Sequence, residues 1–386
     1  MNRRVLIGSK ISRKKKIAAV PHLFQPEAHS KSMQNKCTAQ KIIISVLALV
    51  MICQILFAQP AMCSTLTVQE QEPKYKYAAK PTETVFIKKS PSVSSLVSNV
   101  TAGVMQGVDT NPLLDSTKKA DNYTQELVDM HFKYPLFSSF LGFTNSTFGF
   151  NVVNTNYYSI TDVNTMDAVG DLNIEQDMFD KGTLSAGYVF ECLYFPFAED
   201  GTFVGNQFNV CIKQDLTGWA YQKVAYRIIL RNYLSNKVLL DDYTQGSDKR
   251  FDVRNQFEHE IGVYVGDRAN IKITNQFYIN DSNYQYYNYY DYYNYRFGTS
   301  LILFATKKLY SITAFYYQRR NYIDRKVSDG SDMERDNLYT ASASILYDVT
   351  KNISVFVNYT HSENHTNESF EKYSYSLYSA GLYYSF

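Results

Sequence analysis

The chain has 386 residues, of which 45% are hydrophobic, 15% aromatic and 20% charged, enough for one large domain or two ordinary ones. Its net charge of +2 comes from the front, because residues 1–63 hold ten Lys/Arg and one acid, Glu27. The remainder holds 29 basic and 36 acidic side chains, near −7, so the positive total gives no argument for a nucleic-acid partner.

Residues 42–57 read IIISVLALVMICQILF, after Lys36 and Lys41 and before AQPAMCS. A basic segment, an apolar core and small residues at a cleavage point make a secretory signal, read by the secretion translocase. Cleavage after Cys63 puts Ala61 and Cys63 at the small-residue positions; cleavage after Ala58 is the alternative. The long stretch ahead of it suggests a translation start at Met33, leaving a 31-residue leader to Cys63. The competing reading is a membrane anchor, since sixteen apolar residues fall just short of a helical span. Pro60-Ala61-Met62 is a poor lead-in for lipidation at Cys63. Residues 64–95 are polar, with three prolines and no strong period, and read as a periplasmic linker.

From residue 96 to 386 the hydrophobicity alternates. In FDVRNQFEHEIGVYV, Phe251, Val253, Phe257, Ile261, Val263 and Val265 share one parity, and Asp252, Arg254, Gln256, Glu258 and Glu260 the other. In NIKITNQFYIN, Ile271, Ile273, Phe277 and Ile279 alternate with Lys272, Thr274, Gln276 and Tyr278. Asn255, His259 and Asn275 interrupt the apolar parity. Side chains alternate across a strand, so each segment has one apolar and one polar face. About fourteen such segments follow (twelve to sixteen, allowing for boundary error). They run over 96–107, 121–133, 139–152, 165–178, 183–194, 205–214, 219–234, 250–265, 270–280, 292–305, 309–321, 335–347, 352–361 and 371–386.

The connections alternate long and short. Long ones fall near 108–120, 153–164, 195–204, 235–249, 281–291, 322–334 and 362–370; short ones are YPLFS, FDKG, DLTG, GDRA, TKK and DVTK. A soluble sandwich has no reason for this rhythm. A transmembrane antiparallel β-barrel has, with short periplasmic turns and longer extracellular loops. In lipid, a strand-rich chain must close on itself to satisfy its backbone.

At the C-terminus, Tyr378, Ala380, Leu382, Tyr384 and Phe386 fall on alternate positions. Here the sequence resembles bacterial outer-membrane β-barrel proteins. That resemblance implies an outer-membrane location in a Gram-negative-type cell envelope, and a final strand presented to the barrel-assembly machinery. TAGVMQGVDTNPLLDS (101–116) also resembles the first strand and loop of barrels akin to the surface lipoprotein assembly modifiers, with Gly107, Asp109, Thr110 and Asn111 matching. The tetratricopeptide-like periplasmic domain of the modifiers is missing. Read physically, VDTNP is a turn in which Asp and Asn bond their own backbone and Pro112 sets the bend.

Residues 283–295, NYQYYNYYDYYNY, hold Tyr284, Tyr286, Tyr287, Tyr289, Tyr290, Tyr292, Tyr293 and Tyr295, at both parities. A phenol sits with its ring in an apolar layer and its hydroxyl in water, so this stretch reads as aromatic girdle plus loop, with a ligand-stacking platform as the alternative. On the seventh and eighth strands, Lys223, Arg227 and Arg231 share the polar parity, as do Asp252, Arg254, Glu258 and Glu260; Lys272 follows on the ninth. A charge facing lipid at the midplane costs about 2–4 kcal/mol, so these are assigned to the lumen, with Arg227 near Glu258 in a salt-bridge ladder. They either line an open pore or close it by pairing.

Of five cysteines, three lie in the leader, and Cys192 and Cys211 remain. Cys192 travels with apolar Tyr188 and Phe190, Cys211 with polar Gln207, Asn209 and Lys213, so the two are expected on opposite faces as free thiols. No cysteine or histidine spacing specifies a metal site, and no cofactor is implied. YTHSENHTNES (359–369) gathers His361, Ser362, Glu363 and His365. The outer-membrane phospholipase pattern His-x-Ser-Asn-Gly is missing, His361 and Ser362 fall on opposite faces, and no third metal ligand is specified, so the stretch reads as a hydrophilic outer loop. The Asn-x-Ser/Thr triplets reflect an Asn-, Ser- and Thr-rich β sequence.

The sequence therefore points to a barrel in outer-membrane lipid. The expected role is a porin-like channel for small solutes. A non-conducting surface barrel that binds a ligand or helps display other proteins is the alternative, and a membrane hydrolase ranks last.

Overall fold

The computed structural model describes residues 97–386 apart from 115–118, 140–141, 179–180 and 329. The expectations for leader, cleavage site, start and linker fall on residues 1–96, outside the described residues.

Fourteen strands form: β1 (Val97–Asp109), β2 (Asp121–Ser139), β3 (Gly142–Tyr157), β4 (Thr165–Asp177), β5 (Gly182–Tyr194), β6 (Phe203–Thr217), β7 (Ala220–Leu239), β8 (Gln245–Val265), β9 (Ala269–Ser282), β10 (Tyr292–Phe304), β11 (Leu309–Lys326), β12 (Met333–Asp348), β13 (Ile353–Thr366) and β14 (Tyr373–Ser385). Each pairs antiparallel with the next, and β1 pairs with β14, from Thr101 opposite Ser385 to Asp109 opposite Leu377. The sheet is a closed barrel, as the alternation and the rhythm of the connections predict. Closure removes both edges, so every strand finds two ladder partners.

The alternation becomes an outside and an inside. The exposed parity carries Val104, Val128, Phe148, Leu172, Phe190 and Phe208 on successive strands, and continues with Ile261, Phe277, Leu301, Phe315, Ile345 and Val357. That is a continuous apolar belt, the surface a bilayer stabilises. The terminal row is on this side: Tyr378, Leu382, Tyr384 and Phe386 are all exposed, and Ala380 shares their parity. Among the described residues the buried parity holds polar side chains over most of its area, with an apolar cluster and a smaller group of three tyrosines, Tyr278, Tyr292 and Tyr322. Met105, Leu127, Val153, Leu346, Phe356 and Tyr383 pack inside the β11–β3 wall. Phe356 and Tyr383 stack at 4.4 Å. Gly103 makes room for this packing, because a Cβ there would lie 2.5 Å from the Tyr383 ring.

Several connections are shorter than expected: β11 runs to Lys326 within the loop expected over 322–334, and β13 runs to Thr366, which puts His361, Ser362, Glu363 and His365 in a strand and not in an outer loop. The loop expected over 235–249 is mostly strand, since β7 runs to Leu239 and β8 starts at Gln245. Hydrogen bonds from Leu240 N to Thr244 O (2.9 Å) and Tyr243 N to Leu240 O (3.0 Å) make a tight hairpin end, with Val238 buried against it. The polarity of 241–249 predicts a loop, but a hairpin rising beyond the lipid needs no apolar face.

Candidate functional site: the barrel interior

The strand parity divides interior charge by wall. On β1–β5 the inward positions carry Asp109, Asp121, Asp129, Asp167, Asp171, Glu175, Asp177 and Glu191, against Lys133 and His131. On β6–β11 they carry Lys213, Lys223, Arg227, Arg231, Arg250, Arg254, Lys272, Arg296, Arg320 and Arg325, against Asp215, Asp248, Asp252, Glu258 and Glu260. Hydrogen-bonded neighbours in a barrel are fixed in register, so the segregation is built into the wall.

The basic wall is a lattice. Arg227 donates to both carboxylate oxygens of Glu258, at 2.6 and 3.1 Å, and Gln276 donates to Glu258 at 3.1 Å. Glu260 accepts from the Tyr221 hydroxyl at 2.9 Å and lies 3.9 Å from Lys272. Lys223 is opposite Glu260 in the β7–β8 ladder. Arg231 lies 3.7 Å from Glu191 and 4.6 Å above the Phe203 ring, joining the two walls. Arg254 donates to the Tyr292 hydroxyl at 3.0 Å and stacks 4.4 Å from the Tyr278 ring. Arg296 stacks on Tyr316 at 4.2 Å. Among the described residues neither Arg254 nor Arg296 has a carboxylate within ion-pair distance.

Toward the rim with the longer connections, tyrosines clamp further arginines. Arg250 bonds Asp252 at 2.9 Å and lies between Tyr233 (4.1 Å) and Tyr290 (3.2 Å). Arg325 meets Glu334 at 2.7 Å and also pairs with Glu371, with Tyr289 at 3.8 Å and Tyr322 at 4.6 Å. Arg320 bonds the Tyr322 hydroxyl at 3.0 Å and lies 3.5 Å from Asp336. A guanidinium over a ring face is stabilised by the ring quadrupole, most strongly where water is excluded.

This divides the tyrosine-rich stretch in three. Tyr293 and Tyr295 are exposed on the outer face, as a girdle requires. Tyr292 departs from that expectation: it is buried inside, edge-on to Tyr278 at 5.9 Å and to Tyr322 at 5.7 Å. Tyr284, Tyr289 and Tyr290 pack on one another in the loop, Tyr284 and Tyr290 at 5.0 Å and Tyr289 and Tyr290 at 4.9 Å, while Tyr286 packs on Tyr243 at 4.7 Å. The side chain of Tyr287 is outside the described residues. Strand parity dictates the split, because β10 begins at Tyr292 and sends alternate rings in and out. Burial pushes Tyr289 up to about 12, opposed by the Arg325 charge and reinforced by Glu371.

Sequence reasoning missed Arg250, Arg320, Arg325, Glu334 and Asp336. Each lies in or beside a stretch read as loop, and the available signal was the continuation of the polar parity. Cys192 and Cys211 form no disulfide, Cys192 lying opposite Val204 and Cys211 opposite Ser185. The DTN turn forms as its chemistry requires: Asn111 N donates to Asp109 Oδ1 at 2.9 Å, and Asn111 Nδ2 to Ser374 O at 3.2 Å. Thr110 N donates to Ser376 O at 3.0 Å, so the turn also helps close β1 on β14.

Closure through β1 and β14, with an apolar outside and a charged inside, decides the fold. The chain has the fold of the outer-membrane β-barrels. No family model matches it, and no curated protein matches its sequence. It is similar to the solved structure of an anion-selective porin from Comamonas acidovorans, with 7% identity, a TM-score of 0.42, and coverage of 76% of this chain and 99% of that one. It is also similar to the outer-membrane expressed OmpT of Vibrio cholerae, with 11% identity, a TM-score of 0.44, and coverage of 75% and 97%. A Pseudomonas aeruginosa FadL homologue gives 10% identity, a TM-score of 0.40, and coverage of 75% and 90%.

Proposed function

We propose that the protein is a porin-like channel for small charged or zwitterionic solutes in a bacterial outer membrane. It is exported by a cleaved signal peptide through the secretion translocase and inserted by the barrel-assembly machinery. The observation that carries this reading is the opposed charge of the two interior walls. Separated charges in a low-dielectric enclosure set up a field across the lumen, which aligns a dipolar solute and lowers its cost of entry. Arg254 and Arg296, held by rings and neutral groups, keep charge for solute that the paired arginines spend internally.

The second reading is a non-conducting surface barrel that binds a ligand. It draws on the apolar interior cluster, where Leu346 and Tyr383 have essentially no solvent exposure. Single-channel recording of the folded protein in a planar bilayer separates the two. Stepwise conductance supports the channel; a sealed bilayer with folded protein inserted supports the binding barrel.

A further inference from the structure

On the outside of the barrel, β13 and β14 place His361 directly opposite Ser376. Ser376 Oγ lies 2.9 Å from His361 Nδ1, and His361 Nε2 lies 3.1 Å from Glu363 Oε1. Glu363 Oε2 also meets His365 Nε2, at 3.0 Å. His361 is 37% and Glu363 45% exposed, and Ser376 is half-buried beside them. One pleat toward the membrane, about 7 Å along the strands, Tyr359 and Tyr378 pack at 5.0 Å on the same face. These exposed rings mark the interface, so the chain of groups sits at lipid headgroup height. Below it lies an open groove of about 550 Å³ on the outer wall, apolar along Val108, Val357 and Ala380 and polar where Gln106 and Asn122 line it.

We propose that this face is an esterase site for the acyl esters of outer-leaflet lipids, with one acyl chain in the groove and its ester beside Ser376. The carboxylate of Glu363 accepts a hydrogen bond from His361 Nε2–H, which fixes the tautomer that leaves Nδ1 free to act as base. Ser376 Oγ attacks the ester carbonyl carbon as its proton passes to Nδ1. The tetrahedral adduct collapses, the C–O bond to the alcohol breaks, and the alcohol leaves with the proton from Nδ1. Water then attacks acyl-Ser376 with the same base and releases the fatty acid. The Thr110 hydroxyl, which accepts from Ser376 N at 2.8 Å, keeps its own proton to donate to the oxyanion.

The test uses the full chain folded in detergent and treated with a fluorophosphonate, with the modified peptide mapped, and then placed in two kinds of vesicle. One kind is phosphatidylethanolamine and phosphatidylglycerol; the other contains lipopolysaccharide. The expected result is phosphonylation at Ser376, none in Ser376→Ala, roughly 100-fold slower labelling in His361→Asn, and no change in Ser374→Ala. Fatty acid release from the first vesicle assigns a glycerol ester, and release only from the second an acyl chain of lipopolysaccharide. An unmodified Ser376 in barrels that still migrate as folded overturns the proposal, as does labelling without fatty acid from either vesicle. Conductance of Ser376→Ala is expected to be unchanged, so the channel reading stands or falls separately.

Discussion

Glu175 on the acidic wall and Glu258 on the basic wall both face an interior cation, and they are held very differently. Glu175 lies 3.5 Å from Lys133, with both side chains more than a quarter exposed. Glu258 takes two hydrogen bonds from Arg227 and one from Gln276, and only 11% of its side chain is exposed. One wall presents loosely held carboxylates; the other is cross-braced by guanidinium groups, carboxylates and phenol rings. The lesson is that equal formal charge does not mean equal availability. Braced arginines stiffen the barrel, and in the proposed channel the cations left without a carboxylate are the ones that select solute.

Breaking a brace should have the largest effect. Glu258→Ala leaves the Arg227 guanidinium buried without its partner, and about 3–5 kcal/mol of stability should be lost in a urea unfolding titration in detergent. Gly262→Val attacks the same wall by volume. A Cβ there would lie 2.0 Å from the Tyr221 ring, which is fully buried and bonded to Glu260. Overpacking of this kind should cost about 1–3 kcal/mol in the same titration. Glu175→Gln on the open wall should cost under about 1 kcal/mol, because a solvated ion pair contributes little. A loss as large as that of Glu258→Ala would erase the distinction between the walls.

The smallest effect concerns the loop that covers the basic wall. Tyr289, held at about 12 against an ordinary value of 10.0, keeps its proton when the unfolded chain has lost it. Between pH 10 and 12 the folded state therefore binds more protons, and its stability should fall as pH rises through that window. Tyr289→Phe removes the ionisation and should flatten that part of the stability profile, measured against the parent protein.

Much of the fold is legible in the sequence, because a strand between lipid and water must alternate without interruption. Fourteen segments follow from that one requirement, and so does the outward row from Tyr378 to Phe386. The alternation fails as a guide where lipid ends. Beyond the membrane β7 and β8 continue as a polar hairpin, and the missed Arg250 lies on that extension. Arg325 and Glu334 lie within another stretch read as loop, 322–334, where β11 and β12 run on. The interior charges on β7–β9 are legible from parity, and Arg227 meets Glu258 as the hairpin register suggests. The partners of His361 are only half legible. Glu363 is two residues away, while Ser376 is brought opposite by the ladder, a relation that no local spacing reveals. The tyrosine-rich stretch is ambiguous for a similar reason, since its split depends on β10 starting at Tyr292.

The most direct test of the two-wall account is the reversal potential across a planar bilayer under a potassium chloride gradient, for the parent protein and for the Arg254→Gln, Arg296→Gln double variant. The account predicts stepwise conductance in both, and a shift toward cation preference in the variant. Folded, inserted protein that passes no current, or a variant with unchanged reversal potential, would contradict it and leave the charged walls as internal bracing alone.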